Sequence, residues 1–148
     1  MGIFDMMSIS ASALSAERQR AEVTSANLAN AETTHTETGG PYRRKEVVFS
    51  TTNASPFQTV FNRLGASGAP SGSVKLTDVI DDPSPAVHRY EPGNPDADKD
   101  GYVEYPNINP ITEMVDLMSA TRAYQLNASA INAAKQMVQE SIDILKTT

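Results

Sequence analysis

The chain has 148 residues, a formal net charge of −6 and no cysteine, so it has the length of one ordinary domain and can form neither disulfides nor cysteine-ligated metal sites. The acidic balance argues against a phosphate-backbone footprint, so no nucleic-acid partner is expected, and the basic run Arg43-Arg44-Lys45, followed at once by Glu46, fits the solvated start of a strand. Leu, Ile, Val and Phe make up 29 of the 148 residues, the low edge for a self-sufficient core, which implies a protein that folds partly alone and partly on partners.

The first thirty residues carry a helical pattern. Met7, Leu14, Ala21 and Leu28 recur every seven residues, with Ile3 and Ala11 beside them and Glu17, Arg18, Gln19, Arg20 and Glu22 on the opposite face. A sustained seven-residue apolar repeat marks a helix that packs along another helix. This seam is thin and rich in Ser and Ala, and a lone helix of that length is marginal in water. Asp5, and the lack of a basic residue before the first apolar cluster, speak against a cleavable secretory signal. Met6 stands where an N-myristoylation signal has Ser or Thr. No stretch is apolar enough to span a bilayer, and without basic residues Met1 to Leu14 is a poor ligand for anionic lipid, so no direct lipid binding is expected.

The helix closes on Ser25-Ala-Asn27-Leu-Ala-Asn30, with Asn27 and Asn30 one turn apart beside Leu28. Asn127 lies similarly within the last helix. Amides beside a packed seam fix register and partner choice at some cost in stability.

The middle has another texture, with most of the Gly and Pro between Gly39 and Pro110. Tyr42 to Phe49 predicts a strand. Val74, Leu76 and Ile80 share one parity in a second strand-like run, and Val87 to Tyr90 and Tyr102 to Tyr105 are shorter candidates. Phe57, Val60, Phe61 and Leu64 fit one face of a short helix, and Gly65 to Gly72 has the composition of a flexible loop.

Within this insert, Asp96-Ala-Asp98-Lys-Asp100-Gly101 matches the opening of an EF-hand loop, with Val103 at the apolar position. Position twelve is then Asn107 rather than a bidentate Glu, and Pro92, Pro95 and Pro106 interrupt the flanking helices. A polar turn, with Asp side chains bonding nearby amides and Gly101 at positive φ, is favoured over a calcium-responsive binding module. Two isolated histidines, His35 and His88, and the lack of a phosphate loop, a zinc-helix motif or a nucleophile elbow make catalysis improbable, and no cofactor is implied.

The last forty residues carry the strongest pattern. Leu117, Tyr124, Ile131, Val138 and Leu145 fall at strict seven-residue intervals, with Met114, Thr121, Ala128 and Ile142 as the companion line, interrupted by Lys135. Asn109 is placed to cap this helix, and Pro110 fits its first position. Glu113 and Asp116 sit near the positive end of the helix dipole and Lys146 near the negative end. The fold expected is mainly α with a small β-rich insert: long N- and C-terminal helices pairing as a coiled coil about a central β domain. Its boundaries are an N-terminal helix over 1–34, an insert over 35–108 with a flexible loop at 65–72, and a C-terminal helix over 109–148.

Asn27-Leu-Ala-Asn30 at the end of an N-terminal helix resembles the signature of the flagellar rod, hook and filament axial protein family. Gly39-Gly-Pro-Tyr-Arg-Arg-Lys-Glu-Val-Val-Phe49, Pro95-Asp-Ala-Asp-Lys-Asp-Gly-Tyr-Val103 and Tyr105-Pro-Asn-Ile-Asn-Pro110 are similar to its proximal-rod branch, as are Glu113-Met-Val115 and Arg122-Ala-Tyr124-Gln-Leu-Asn127. Glu32 and Leu126 depart from the pattern. The resemblance implies a structural subunit of the flagellar basal body. Such a subunit is exported by the flagellar type III apparatus without a cleaved signal peptide, and it transmits torque along the periplasmic rod. Its terminal helices pack into the inner tube and the insert faces outward. Its neighbours are copies of itself, other rod proteins, and the export-gate and membrane-ring base. The assembly interface then falls on Met7, Leu14, Ala21, Asn27, Leu28, Asn30, Leu117, Tyr124, Asn127, Ile131, Val138 and Leu145.

Overall fold

The computed structural model describes residues 2–37, 39–52 and 72–146. Helix α1 spans Ile3–Ala29 and helix α2 spans Pro110–Lys146, with strands β1 (Lys45–Thr52), β2 (Ser73–Asp81), β3 (Val87–Tyr90) and β4 (Tyr102–Tyr105) between them. The proposed helical face at Phe57 to Leu64 lies outside the described residues, as does nearly all of the 65–72 loop.

Both helix starts and the end of α1 have identifiable reasons. At the head of α1 the Asp5 carboxylate accepts the Gly2 amide at 2.9 Å, satisfying one of the donors that a helix start leaves open. At its tail Asn30 folds its side-chain amide back onto the Ala26 carbonyl at 2.8 Å, and the Thr33 hydroxyl donates to Asn30 Oδ1 at 3.2 Å. These local bonds compete with the helical ladder and end it. At the head of α2 the Asn109 side chain accepts the Ile111 amide at 3.0 Å, with Pro110 next in the position where no donor is needed.

The insert holds two separate two-stranded sheets, β1 with β2 and β3 with β4. Strands β3 and β4 are antiparallel, pairing Val87 with Tyr105 and Tyr90 with Tyr102. Both match the expected segments residue for residue. Strand β1 begins three residues later than expected. Tyr42 donates its amide to the Thr33 carbonyl at 3.0 Å and its hydroxyl to Asn27 at 3.2 Å, so the segment before Lys45 serves the end of α1 instead of a ladder. In β2, Val74 and Leu76 are half-buried as expected, but Val79 takes the sheltered position and Ile80 is 44% exposed. The two-residue alternation therefore shifts phase between Leu76 and Val79.

The chain divides into two compact units, one of residues 1–19, 49–77 and 120–148, the other of 20–48 and 78–119. The first is built on small residues. Ala16, Ala120 and Ala134 are its buried apolar side chains among the described residues, and the Ser12 hydroxyl accepts the Val74 amide at 3.1 Å. The second unit buries Val103, Thr24, Asn27 and Glu113. The Tyr90 and Tyr102 rings meet edge-on with centroids 5.3 Å apart. The face of α2 that is most buried carries Glu113, Ala120 and Ala134 at multiples of seven residues. That companion line lies one residue earlier than Met114, Thr121, Ala128 and Ile142. Alanines let neighbouring backbone approach closely, and the larger side chains Met114 and Ile142 are left 55% and 43% exposed.

Candidate functional site

Two features of the second unit stand out chemically: a buried polar clamp and an exposed apolar helix face.

The clamp gathers residues from three distant stretches of sequence. Asn27, in the last turn of α1, is 1% exposed and Glu113, in the first turn of α2, is 2% exposed. The Asn27 side-chain amide donates to Glu113 Oε2 at 3.1 Å and to the Lys45 carbonyl at 2.9 Å. Asn27 Oδ1 accepts the Lys45 amide at 2.9 Å and the Tyr42 hydroxyl. The other carboxylate oxygen of Glu113 accepts Arg44 Nε at 2.7 Å, and Arg44 also pairs with Glu46. A second ion pair, Arg20 to Asp116 at 3.7 Å, flanks the clamp. Taking a carboxylate out of water costs several kcal/mol unless a partner charge and hydrogen bonds replace the solvent. Here both oxygens are engaged.

The titration behaviour follows from these bonds. The hydrogen bond to Glu113 pushes the Arg44 guanidinium above its usual value, against the opposing effect of burial. Burial raises the Tyr42 phenol. Farther along the insert, Glu91 accepts from Asn94 and from the Tyr105 hydroxyl. Those donors hold its carboxyl below the usual range, and the bond to Glu91 raises the Tyr105 phenol in return.

Asn27 thus reads register inside the chain, pairing β1 and α2 with α1. Asn30 and Asn127 both bond backwards to their own helices, to Ala26 and Ala123. Met7, Leu14, Ala21 and Leu28 are half-buried, as are Leu117, Ile131 and Val138, while Tyr124 is 43% and Leu145 78% exposed.

The exposed face begins α2. Ile111, Met114, Val115 and Met118 stand at i, i+3, i+4 and i+7 and are 73%, 55%, 55% and 54% exposed. That spacing makes one continuous row on a helix. A patch of large apolar groups left to solvent is a candidate contact surface. Sequence reasoning placed only Met114 on a seam. The row was visible as spacing, but nothing in the sequence told which flank of the heptad line would be buried within the chain. By sequence Glu113 is a dipole partner, and its burial against Arg44 is not legible, because that pairing spans 69 residues.

The aspartate-rich turn is structural. Asp98 Oδ1 accepts the amides of Asp100 at 2.8 Å and Tyr102 at 3.1 Å, and Asp96 accepts the Thr34 hydroxyl at 2.6 Å. Gly101 has φ +81°, and a Cβ there would come within 3.0 Å of the Tyr90 ring. Among the described residues no three His, Asp or Glu side chains converge as metal ligands, and nothing supports the calcium-responsive alternative. Among the same residues, no helix is long and apolar enough to cross a membrane.

A long helix lies at each end of the chain, Asn27, Tyr42, Arg44, Lys45 and Glu113 meet in one clamp, and matches to known families place the chain among the subunits of flagellar axial structures. Residues 7–34 match the family model for flagella basal body rod proteins, and residues 99–144 match that for the C-terminal region of flagellar basal body rod FlgEFG proteins. The chain is 42% identical over 144 residues to the flagellar basal-body rod protein FlgC of Escherichia coli O6:H1, covering 97% of this chain and 98% of that one. It is 41% identical to FlgC of Bacillus subtilis, covering 99% and 100% of the two chains, and 37% identical to that of Borreliella burgdorferi, covering 99% of each. The chain belongs to the FlgC family of flagellar basal-body rod proteins, structural subunits that assemble with other rod components.

Proposed function

We propose that this chain is a proximal-rod subunit that passes through the flagellar type III export apparatus without a cleaved signal and polymerises in the periplasm to transmit torque. Its two terminal helices make the assembly contacts, pairing as a coiled coil. The observation that carries this reading is the row Ile111, Met114, Val115 and Met118 at the head of α2, more than half exposed at every position. Covering such a row against a neighbouring helix gains about 25 cal/mol for each Å² of apolar surface removed from water. The rest of the interface falls on Met7, Leu14, Ala21 and Leu28 of α1 and on Leu117, Tyr124, Ile131, Val138 and Leu145 of α2, with Asn30 and Asn127 beside them. Copies of the same chain, other rod proteins, the export gate and the membrane-ring base are the neighbours.

The clamp supports the torque reading. A shaft works only if load entering one segment reaches the next without a slack joint. Arg44, Glu113 and Asn27 tie the end of α1, the start of β1 and the start of α2 by direct bonds, so load passes among these segments through an ion pair and hydrogen bonds.

The test is Val115→Asp. Val115 is exposed within the subunit, so an aspartate there is solvated in the monomer and costs little, whereas in a packed contact it is a buried unpaired charge. The purified variant is expected to keep the wild-type circular dichroism and melting curve, and the strain carrying it to build no complete rods and not to swim. A strain with normal rods and swimming would refute the assignment of this face.

A further inference from the structure

The head of α2 holds its sulfur where an oxidant reaches it. Met114 and Met118 stand one turn apart, both more than half exposed, between Ile111 and Val115. The chain has no cysteine, so no thiol competes for a two-electron oxidant, and the methionine thioethers are its softest nucleophiles. Met6 and Met137, 48% and 47% exposed but off this row, and the half-buried Met7 supply internal contrasts.

We propose that Met114 and Met118 form an oxidation-controlled assembly site: a peroxide converts either thioether to its sulfoxide, and a subunit so modified is refused by the neighbouring rod subunit whose helix covers this face. The proposal rests on the reading of that face as a contact between rod subunits. In the step, a sulfur lone pair attacks one oxygen of hydrogen peroxide and an S–O bond forms as the O–O bond breaks. The second oxygen leaves as water after proton transfer. Sulfur loses two electrons, the peroxide gains them, and no bond of the chain is cut.

The product is a polar, chiral group with a strong acceptor oxygen. Buried in a contact, that oxygen needs a donor, and a row of Ile, Val and Met side chains supplies none. The change is undone by methionine sulfoxide reductases, so the block is reversible. It is also selective in time. A free subunit presents both sulfurs to solvent, whereas a subunit already in the rod has them covered.

The test uses cells producing the full chain and grown with sublethal hydrogen peroxide. Peptide mass spectrometry compares subunits in purified basal bodies with the free pool. Sulfoxide at Met114 and Met118 is expected to be about tenfold scarcer in rods than in the free pool, as exclusion by a buried polar group requires. Equal fractions in the two pools would overturn the proposal. A second measurement exposes purified basal bodies and the purified subunit to the same peroxide. Both sulfurs are expected to react about fivefold or more slowly in rods, as shielded thioethers do. Shielding combined with equal incorporation of sulfoxide overturns the redox inference alone, whereas equal reaction rates in rods and free subunit overturn the contact reading and the inference with it. In the variant Met114→Leu, Met118→Leu, which keeps the face apolar, peroxide is expected to leave incorporation unchanged. A fall as large as the wild type's would place the sensitivity elsewhere.

Discussion

The Asn27 side chain donates to Glu113 Oε2 at 3.1 Å, joining residues 86 apart in sequence. The same amide closes on both backbone groups of Lys45. One side chain therefore satisfies a strand start and half of a buried carboxylate. In Asn27→Ala those groups lose their partners in a site that water does not reach. The expected loss is about 3 kcal/mol of unfolding free energy, in line with what buried unsatisfied groups cost. Urea unfolding of the purified chain measures it, and a loss under about 0.5 kcal/mol would mean that solvent replaces these bonds.

Arg44 neutralises Glu113, and its own side chain is 23% exposed. Removing the guanidinium in Arg44→Met leaves a buried carboxylate unpaired, at an expected cost of about 2–4 kcal/mol. Adding Glu113→Gln removes that stranded charge and keeps an acceptor for Asn27. The double variant is expected to recover at least about half of the loss, as coupled neighbours do in a double-mutant cycle. Additive losses would show that the two side chains act independently.

Gly101 is fixed by conformation and by space. It combines φ +81° with a Cβ path 3.0 Å from the Tyr90 ring and 3.3 Å from Pro92. Gly101→Ala is expected to destabilise the β3–β4 hairpin by about 1–2 kcal/mol, from left-handed strain plus displacement of the ring. Gly93, where a Cβ would meet nothing within 4 Å, is the control. Gly93→Ala is expected to change stability by less than about 0.5 kcal/mol. Thermal melts of the two variants make the comparison, and equal effects would contradict the packing account of the turn.

The Glu91–Tyr105 bond predicts a pH dependence with a definite sign. The donors Asn94 and Tyr105 lower the Glu91 carboxyl below its ordinary 4.5 in the folded chain. Its contribution to stability is therefore present above that value and is lost as pH falls through the lower folded value. Tyr105 moves the other way, above 10.0, so its contribution is present below that pH and disappears as pH rises through the folded value. In Tyr105→Phe the Glu91 carboxyl is expected to titrate at a higher pH than in the wild type, by carbon-detected NMR of the side chain. An unchanged Glu91 titration would show that Asn94 alone sets the shift.

Much of this architecture was legible because it rests on local rules. Asn109 and Pro110 announced the start of α2 through capping chemistry, and Val87–Tyr90 and Tyr102–Tyr105 were legible as short strands, though not as each other's partners. The Asp96–Gly101 turn followed from the missing twelfth ligand. What local rules cannot show is which side of a heptad line turns inward. Leu117 and Ile131 sit beside both Ala120–Ala134 and Met114–Ile142. The alanine flank is buried because its small side chains allow closer approach, but which flank a partner surface meets is not written in the helix itself. The Arg44–Glu113 pair was hidden for a similar reason: each residue has an ordinary exposed role in its own segment, a strand start and a helix first turn. Only their meeting makes them a pair with a buried carboxylate.

The central claim is that the face of α2 carrying Val115 is open in the free subunit and covered in the rod. A chain without cysteine allows a direct measurement. Val115→Cys, assembled in cells, is treated with a maleimide as purified subunit, as intact purified basal bodies, and as basal bodies dissociated before labelling. Full labelling of the subunit and of dissociated material, with strong protection in intact basal bodies, is the predicted result. Labelling of intact basal bodies at the rate of the free subunit would contradict it.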